Sequence, residues 1–270
     1  MTRMPTLFIP HGGGPCFFME WDPPDTWDKH REFLETLPAN LPAKPKALLV
    51  ISGHWEEREF TVQSNPAPAL LFDYNGFPPH TYQLTWPAPG DPALAARVGK
   101  LLEGAGFETG ADSARGFDHG VFVPLKMAFP EADIPIVQLS LRADLDPSSH
   151  LAADRALAPL RDEGVLIIGS GNTYHNMAVM MRAMHGGATG AIAGTDFDRW
   201  LSDAVTLDDT ASRDAMLANW AQAPGARDAH PREEHFIPLH VVAGAAGADR
   251  GIKTLEDHVT GAVESAFRFG

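Results

Sequence analysis

Three short apolar runs in this chain each end in a stretch of small residues that carries a histidine. Residues 5–10 (PTLFIP) run into His11-Gly12-Gly13-Gly14, and residues 47–51 (ALLVI) run into Ser52-Gly53-His54-Trp55. Residues 164–168 (GVLII) run into Gly169-Ser170-Gly171-Asn172 and then Tyr174-His175-Asn176. In an open α/β sheet, ligands bind beyond the carboxyl ends of parallel strands. Three such runs side by side would bring three imidazoles to one crevice. Histidine is the commonest metal-ligating side chain, so the first chemistry to expect is that of a metal enzyme. The glycines after His11 let the backbone turn sharply and approach a ligand closely. A nucleotide phosphate loop is not indicated, because neither GxGxxG nor GxxxxGK[ST] occurs.

Two further histidines extend the set. His119, in Gly116-Phe117-Asp118-His119-Gly120, stands beside an acid, and an Asp–His pair can fix an imidazole tautomer. His235, in Pro231-Arg232-Glu233-Glu234-His235, is expected in the first turn of a helix. Two histidines and a carboxylate with open positions form the ligand set of non-haem Fe(II) oxygenases. Either His235 or Glu234 can complete a site begun by His11 and His54. Neighbouring helical residues point about 100° apart, so one of the two, not both, is expected to reach the ion. His175 follows a stretch, 170–172, able to present backbone N–H groups to an anionic intermediate, and Asn176 is a candidate to orient it. Each histidine alone has a plainer alternative as a packed core or surface residue; their matching placement is what favours chemistry.

The elements that must position these residues follow from periodicity and punctuation. Residues 26–37 carry Trp27, Phe33, Leu34 and Leu37 at helical spacing, with Asp25 or Thr26 as cap. Residues 59–63 alternate and read as a strand. Residues 72–89 (FDYNGFPPHTYQLTWPAP) are too rich in Pro, Gly and aromatics for regular structure, and read as an ordered loop able to wall a pocket. Residues 91–106 form the cleanest helix, with an Asp cap, Pro in the first turn and a terminal Gly. A short helix is expected over 121–128, a strand over 134–139, and a helix over 147–163, capped by Asp146 and broken near Pro159. Residues 177–184 contain four methionines, read more simply as helix core than as a flexible apolar wall. Residues 185–194 read as mobile, 197–205 and 211–220 as helices, 221–228 as a loop, 233–246 as a helix, and 263–269 as an edge strand. The alternation of strands and helices predicts a single-domain α/β fold over residues 1–270. Its central sheet should be mixed but largely parallel, flanked by helices, with the active site at the carboxyl ends of its strands.

Composition narrows the partners. The formal charge of −14, with no basic cluster, disfavours nucleic acid and anionic membrane. No apolar run is long enough for a membrane span, and the first residues lack the features of a signal peptide. Together with a lone cysteine, Cys16, which cannot form an internal disulfide, this reads as a cytoplasmic protein. Cys16 is expected to pack rather than react.

Six blocks then recur in order: PHGGGP, ISGHW, the aromatic stretch DYNGFPP…WPAPGDP, GFDHGVFVPL, GSGNTYHNM and EEHFIPLH. Together, from about His11 to His240, the chain resembles the class III extradiol ring-cleavage dioxygenases of subunit-B type, in their DOPA-dioxygenase-like branch. The resemblance implies a mononuclear divalent metal held by His11, His54 and His235. It implies His175 as the acid/base histidine, able to approach the metal as a fourth ligand, and His119 as a second catalytic histidine lining the pocket. In the protocatechuate-cleaving branch the third ligand is a glutamate; here the motif puts His235 there, an all-histidine set that suits Zn(II) as well as Fe(II). The implied reaction opens the ring of a small catechol with O2 beside the diol, with Fe(II) for activity. Tyr82, Trp86, Phe117 and Tyr174 are candidate pocket walls, though plain packing is the simpler expectation for each. No arginine or lysine stands out as a partner for a substrate carboxylate. A homodimer is compatible with the sequence. The rivals are a zinc hydrolase on the same histidines and a non-enzymatic binding protein of the same fold.

Overall fold

The computed structural model describes residues 2–184 and 192–270. Eight strands form one sheet: β1 (Thr6–Pro10), β2 (Ala47–Glu57), β3 (Phe60–Gln63), β4 (Thr109–Asp112), β5 (Ile136–Arg142), β6 (Val165–Gly171), β7 (Gly251–Val259) and β8 (Ala262–Phe269). Their order is β4-β3-β5-β2-β6-β1-β8-β7. The four central strands, β5, β2, β6 and β1, run parallel, while β3 meets β5, and β8 meets both β1 and β7, antiparallel. The three histidine-bearing runs are therefore neighbours, with β6 between β2 and β1.

The central strands are continuous apolar runs because both sheet faces are covered. Leu49, Ile51, Val137, Leu139 and Ile167 face one core, and Leu48, Val50, Ile136, Leu166 and Ile168 face the other. The first core is covered by α2 (Pro92–Gly104), α4 (Pro147–Arg155), the short α5 (Pro159–Asp162), α7 (Thr195–Val205), α8 (Thr210–Ala218) and α10 (Ile237–Ala246). The second is covered by α1 (Asp28–Thr36) and α3 (His119–Ala128). Each fully buried Leu or Ile contributes roughly 1.5–3 kcal/mol.

Several expectations hold in detail. Asp91 caps α2 through the Ala93 and Leu94 N–H groups, and Asp146 caps α4 through Ser149. The expected break near Pro159 separates α4 from α5. Others are corrected. Trp27 occupies the N-cap of α1 without a side-chain bond, so neither Asp25 nor Thr26 caps it. α3 starts at His119, not at residue 121, and the loop expected over 221–228 holds a turn of helix, α9 (Ala226–Ala229). The strand expected at the sheet edge, β8, is internal, because β7 pairs on its outer side. The Gly/Ala-rich segment expected to be mobile lies, over 185–191, outside the described residues; Ala193 bridges to Ala262. Among the described residues no helix is long and apolar enough to cross a membrane.

Three buried histidines away from the crevice are held neutral. His150 bonds the Asp146 carbonyl through Nδ1 (2.7 Å), His240 bonds the Leu217 carbonyl through Nε2 (2.9 Å), and His230 bonds the Thr173 carbonyl through Nε2 (2.9 Å). Burial lowers His150 and His240 to about 4 and His230 to about 3. An unfolded histidine titrates near 6.5. Between those values the unfolded chain binds protons that the folded chain refuses, so stability is complete above pH 6.5 and falls as the pH drops toward 4 and 3. Each group corresponds to an upper bound of roughly 3–5 kcal/mol. Denaturant midpoints should fall steeply from pH 6.5 to 4; a flat midpoint across that window would contradict this account.

Candidate metal centre

The carboxyl ends of β1, β2 and β6 deliver the imidazoles. His11 follows β1, its backbone N–H donating to the Gly171 carbonyl at the end of β6 (3.1 Å). The next residue, Gly12, sits at φ +79°, and a Cβ there would lie 2.4 Å from Cys16 Sγ, so the turn requires glycine. Cys16 itself is fully buried, and burial pushes its thiol up to about 12, in line with a packing role. His54 does not lie in a turn after a strand, as the sequence suggests. It lies within β2, where the register with β5 breaks between Ile51 and Glu56 and re-aims the side chain. Ser170 and Gly171 are likewise still strand.

His235 lies in a turn just before α10, not in its first helical turn. The Asn172 N–H holds the His235 carbonyl at 3.0 Å. A Cβ on Gly171 would lie 2.0 Å from that carbonyl, so only glycine lets the turn press onto β6. This also corrects the expectation that residues 170–172 offer N–H groups to an intermediate, since the Asn172 N–H is already used.

The three Nε2 atoms converge. His54 Nε2 lies 3.1 Å from His11 Nε2 and 3.2 Å from His235 Nε2. Each far side faces an oxygen, within hydrogen-bond reach for His11 and His235. His11 Nδ1 faces Ser170 Oγ at 3.1 Å, and that hydroxyl in turn donates to the Gly120 carbonyl, so it accepts from the ring. His235 Nδ1 donates to Glu234 Oε1 at 2.9 Å, and His54 Nδ1 stands 3.7 Å from Asp73 Oδ2. With Nδ1 protonated on each ring, the Nε2 lone pairs face one another, an arrangement that a shared cation would satisfy. Ligands bound at about 2.1 Å and separated by just over 3 Å, as His54 is from each of the other two, subtend about 95° at the ion, which suits a set with open positions. The donor set therefore fits a divalent metal.

His119 and His175 flank this triad, and two carboxylates tie four of the five rings together in pairs. Asp73 Oδ1 takes the His119 Nδ1–H at 2.8 Å and its backbone N–H at 2.9 Å, while Oδ2 of the same group faces His54. Glu234 Oε1 lies 3.2 Å from His175 Nδ1 and 2.9 Å from His235 Nδ1. His175 stacks on His235, ring centroids 3.4 Å apart, and its ring lies 17° from parallel. Each carboxylate is thus shared between one candidate ligand and one flanking histidine.

Two expected partners are corrected. His119 is oriented by Asp73, not Asp118, which is turned inward to Ser52, Arg115 and Gln138. His175 is oriented by Glu234, not Asn176, whose amide donates to the Asp228 carbonyl. Beneath His175 the chain is pinned by Thr173, whose N–H donates to buried Glu264 at 2.9 Å and whose hydroxyl oxygen accepts the Ser265 N–H.

The electrostatics follow from burial. Desolvation first, and the neighbouring imidazoles second, hold His11 and His235 well below the ordinary histidine value and lower His54 to about 4. All three are neutral donors at physiological pH. Burial opposes ionisation of Asp73 and Glu234, but bonds from His119 to Asp73, and from His175 and His235 to Glu234, outweigh it. Both carboxyls stay below the usual carboxylate range.

In front of the rings lies a chamber of about 590 Å³. None of Tyr82, Trp86, Phe117 and Tyr174 is among its walls. Trp86 is held inside by the Phe129 carbonyl, and Phe117 lies wholly in the core. Trp21, Tyr74, Phe77 and the methionines Met177, Met180 and Met181 line it instead. Three methionines of α6 (Met177–Met184), Met177, Met180 and Met181, thus wall the chamber, the reading the sequence ranked second, while Met180 also packs into the core as the first reading had it.

A histidine-ringed pocket at the carboxyl ends of a parallel sheet, with a donor set that fits a metal ion, points to a class of metal-using α/β enzymes. The comparisons with known proteins then narrow it. The family model for the catalytic LigB subunit of aromatic ring-opening dioxygenase matches residues 5–268. The chain is 40% identical to a 4,5-DOPA dioxygenase extradiol of Beta vulgaris, covering 96% of this chain and 93% of that one. It is 38% identical to the dioxygenase tasH of Hapsidospora irregularis, over 96% and 84% of the two chains. The crystal structure of an uncharacterised protein from Escherichia coli K12 superposes with a TM-score of 0.79 at 29% identity, covering 99% of this chain and all of that one. The chain belongs to the LigB family of aromatic ring-opening dioxygenases. It is an extradiol dioxygenase, an oxidoreductase of a family that uses a metal.

Proposed function

We propose that the chain, acting as one catalytic domain in the cytoplasm, opens the ring of a catechol with O2 at a single Fe(II) held by His11, His54 and His235. The observation that carries this reading is the convergence of three Nε2 donors, with His11 and His235 each held from behind at Nδ1. Bound there, iron supplies the redox chemistry that joins a catechol to O2, which Zn(II) does not. Three neutral imidazoles leave the site's 2+ charge uncompensated, so it favours a catechol that has lost a proton.

His175 is the group proposed to take that proton and return it. Glu234 holds its Nδ1 side, which leaves Nε2 for proton exchange. Positive charge arriving at the ring is met by the ionised Glu234. His119, held at Nδ1 by Asp73, lines the same chamber and is proposed to steady the diol or the O2 from the other flank. The 4,5-DOPA dioxygenase names of several relatives support a ring-substituted catechol. A hydrolase on these histidines has no comparable support among those relatives, and family membership disfavours a non-enzymatic binding protein.

The test is direct. Protein reconstituted with Fe(II) under anaerobic conditions should consume one O2 per catechol and form a yellow ring-opened product, and the zinc form should bind without turnover. Ester or amide hydrolysis by the zinc form, with no O2 uptake by the iron form across a broad catechol panel, would replace this reading with the hydrolase.

A further inference from the structure

We propose that the substrate carries a neutral, hydrophobic ring substituent. The chamber takes an alkyl- or aryl-substituted catechol rather than one bearing a carboxylate, an ammonium or both. This rests on the ring-opening reading above and commits it to a substrate class.

Charge is the first ground. Among the described residues, no lysine or arginine lines the chamber, and residues 185–191 (HGGATGA) contain none. Two cations beside the site, Arg115 at the His54 carbonyl and Arg232 at Glu234, are engaged. Arg115 bonds Asp118 at 3.0 Å and lies 4.3 Å above the Trp55 ring, and Arg232 bonds both oxygens of Glu56 at 2.6 and 2.5 Å. A carboxylate entering this space would lose its hydration and find, among the described walls, only neutral donors such as Asn75, Asn172 and the imidazoles, with no cation to pair it. Asp73 and Glu234 stand behind the imidazoles, on a chain of net charge −14. Neither carboxylate is among the lining groups, so a substituent's ammonium finds no ion pair at the wall.

Apolar surface is the second, independent ground. Met177 and Met181 are 47% and 42% exposed, and both stand at this chamber. Exposed large apolar side chains grouped at a pocket mouth mark where an apolar ligand is covered. Thioether side chains adapt to substituents of varied shape. With Met180, Trp21 and Phe77 they wall a space of about 590 Å³, which leaves room beyond a bare dihydroxybenzene.

The inference is tested first by binding, with no turnover involved. Zinc-loaded protein is titrated, following tryptophan fluorescence, with 4-methyl-, 4-propyl- and 4-butylcatechol, 3,4-dihydroxyphenylpropionate, dopamine and DOPA. The dissociation constant should fall roughly fourfold per added methylene, and every charged catechol should bind at least about tenfold more weakly than 4-propylcatechol, a gap set by unpaired charge. Met177→Lys should weaken 4-butylcatechol and strengthen 3,4-dihydroxyphenylpropionate. The iron-loaded enzyme should rank kcat/KM in the same order. Affinity independent of chain length, or a charged catechol bound more tightly than 4-propylcatechol, would overturn the inference; O2 uptake on any of these catechols would leave the ring-opening reading intact. Chain-length dependence without any O2 uptake would uphold the chamber's preference and overturn the ring-opening reading instead.

Discussion

Replacing His54 with alanine should leave a folded protein that no longer holds stoichiometric metal and no longer consumes O2. His54 Nε2 is the atom common to both short separations, 3.1 Å to His11 and 3.2 Å to His235. Its removal leaves two imidazoles and no vertex between them. Loss of a supporting partner behind a ligand typically costs 10–100-fold in metal affinity; loss of the ligand itself should exceed about 100-fold. The fold should persist, because the side chain is partly exposed at the irregular end of β2 rather than inside either core. Metal content after anaerobic loading, together with circular dichroism, checks both halves. Full metal occupancy in His54→Ala would dismiss the three-histidine assignment.

His175→Ala should behave in the opposite way, keeping metal and losing turnover by roughly 10²–10⁴, the range for a general acid–base group. His175 stacks on His235 and shares its carboxylate, yet its own ring is excluded from the convergent Nε2 set. Removing it leaves the Glu234 to His235 bond at 2.9 Å in place, so the candidate ligand stays oriented. Metal content with kcat measured at saturating substrate separates the two roles. Metal loss equal to that of His54→Ala would make His175 a ligand.

The elements that place the site were legible because their chemistry is local. A run such as ALLVI has one solution when both faces are covered, and three such runs with small residues at their carboxyl ends lead to one edge of the sheet. What was missed depends on distant parts of the chain. Strand β7 (GIKTLEDHV) buries Gly251, Leu255 and Val259, a spacing of four that does not read as a strand. The neighbouring β8 therefore looked like an edge. Strand β4 is four residues long and nearly all polar or small. Asp73 had no signal of its own in an aromatic loop, since the histidine it orients lies 46 residues away. Glu234 was visible beside His235, but its position behind two rings depends on the turn that Gly171 admits. The pocket walls were misplaced because an aromatic side chain gives no sign in sequence of which side of its loop it packs on.

The place of β1 in the sheet bears on when this site can exist. β1 is held between β6 and β8, with Thr6 opposite both Ile167 and Phe269. The strand that presents the first candidate ligand is thus completed by β8, at residues 262–269, and His235 is itself more than two hundred residues downstream of His11. During synthesis the emerging chain displays His11 and His54 long before β6, Glu264 or the turn at 233–236 has left the ribosome. Long-range pairing of this kind is formed late and slowly. A nascent chain at that stage therefore offers imidazoles before the strands that gather them, and the pocket forms only once β1 has met β6 and β8.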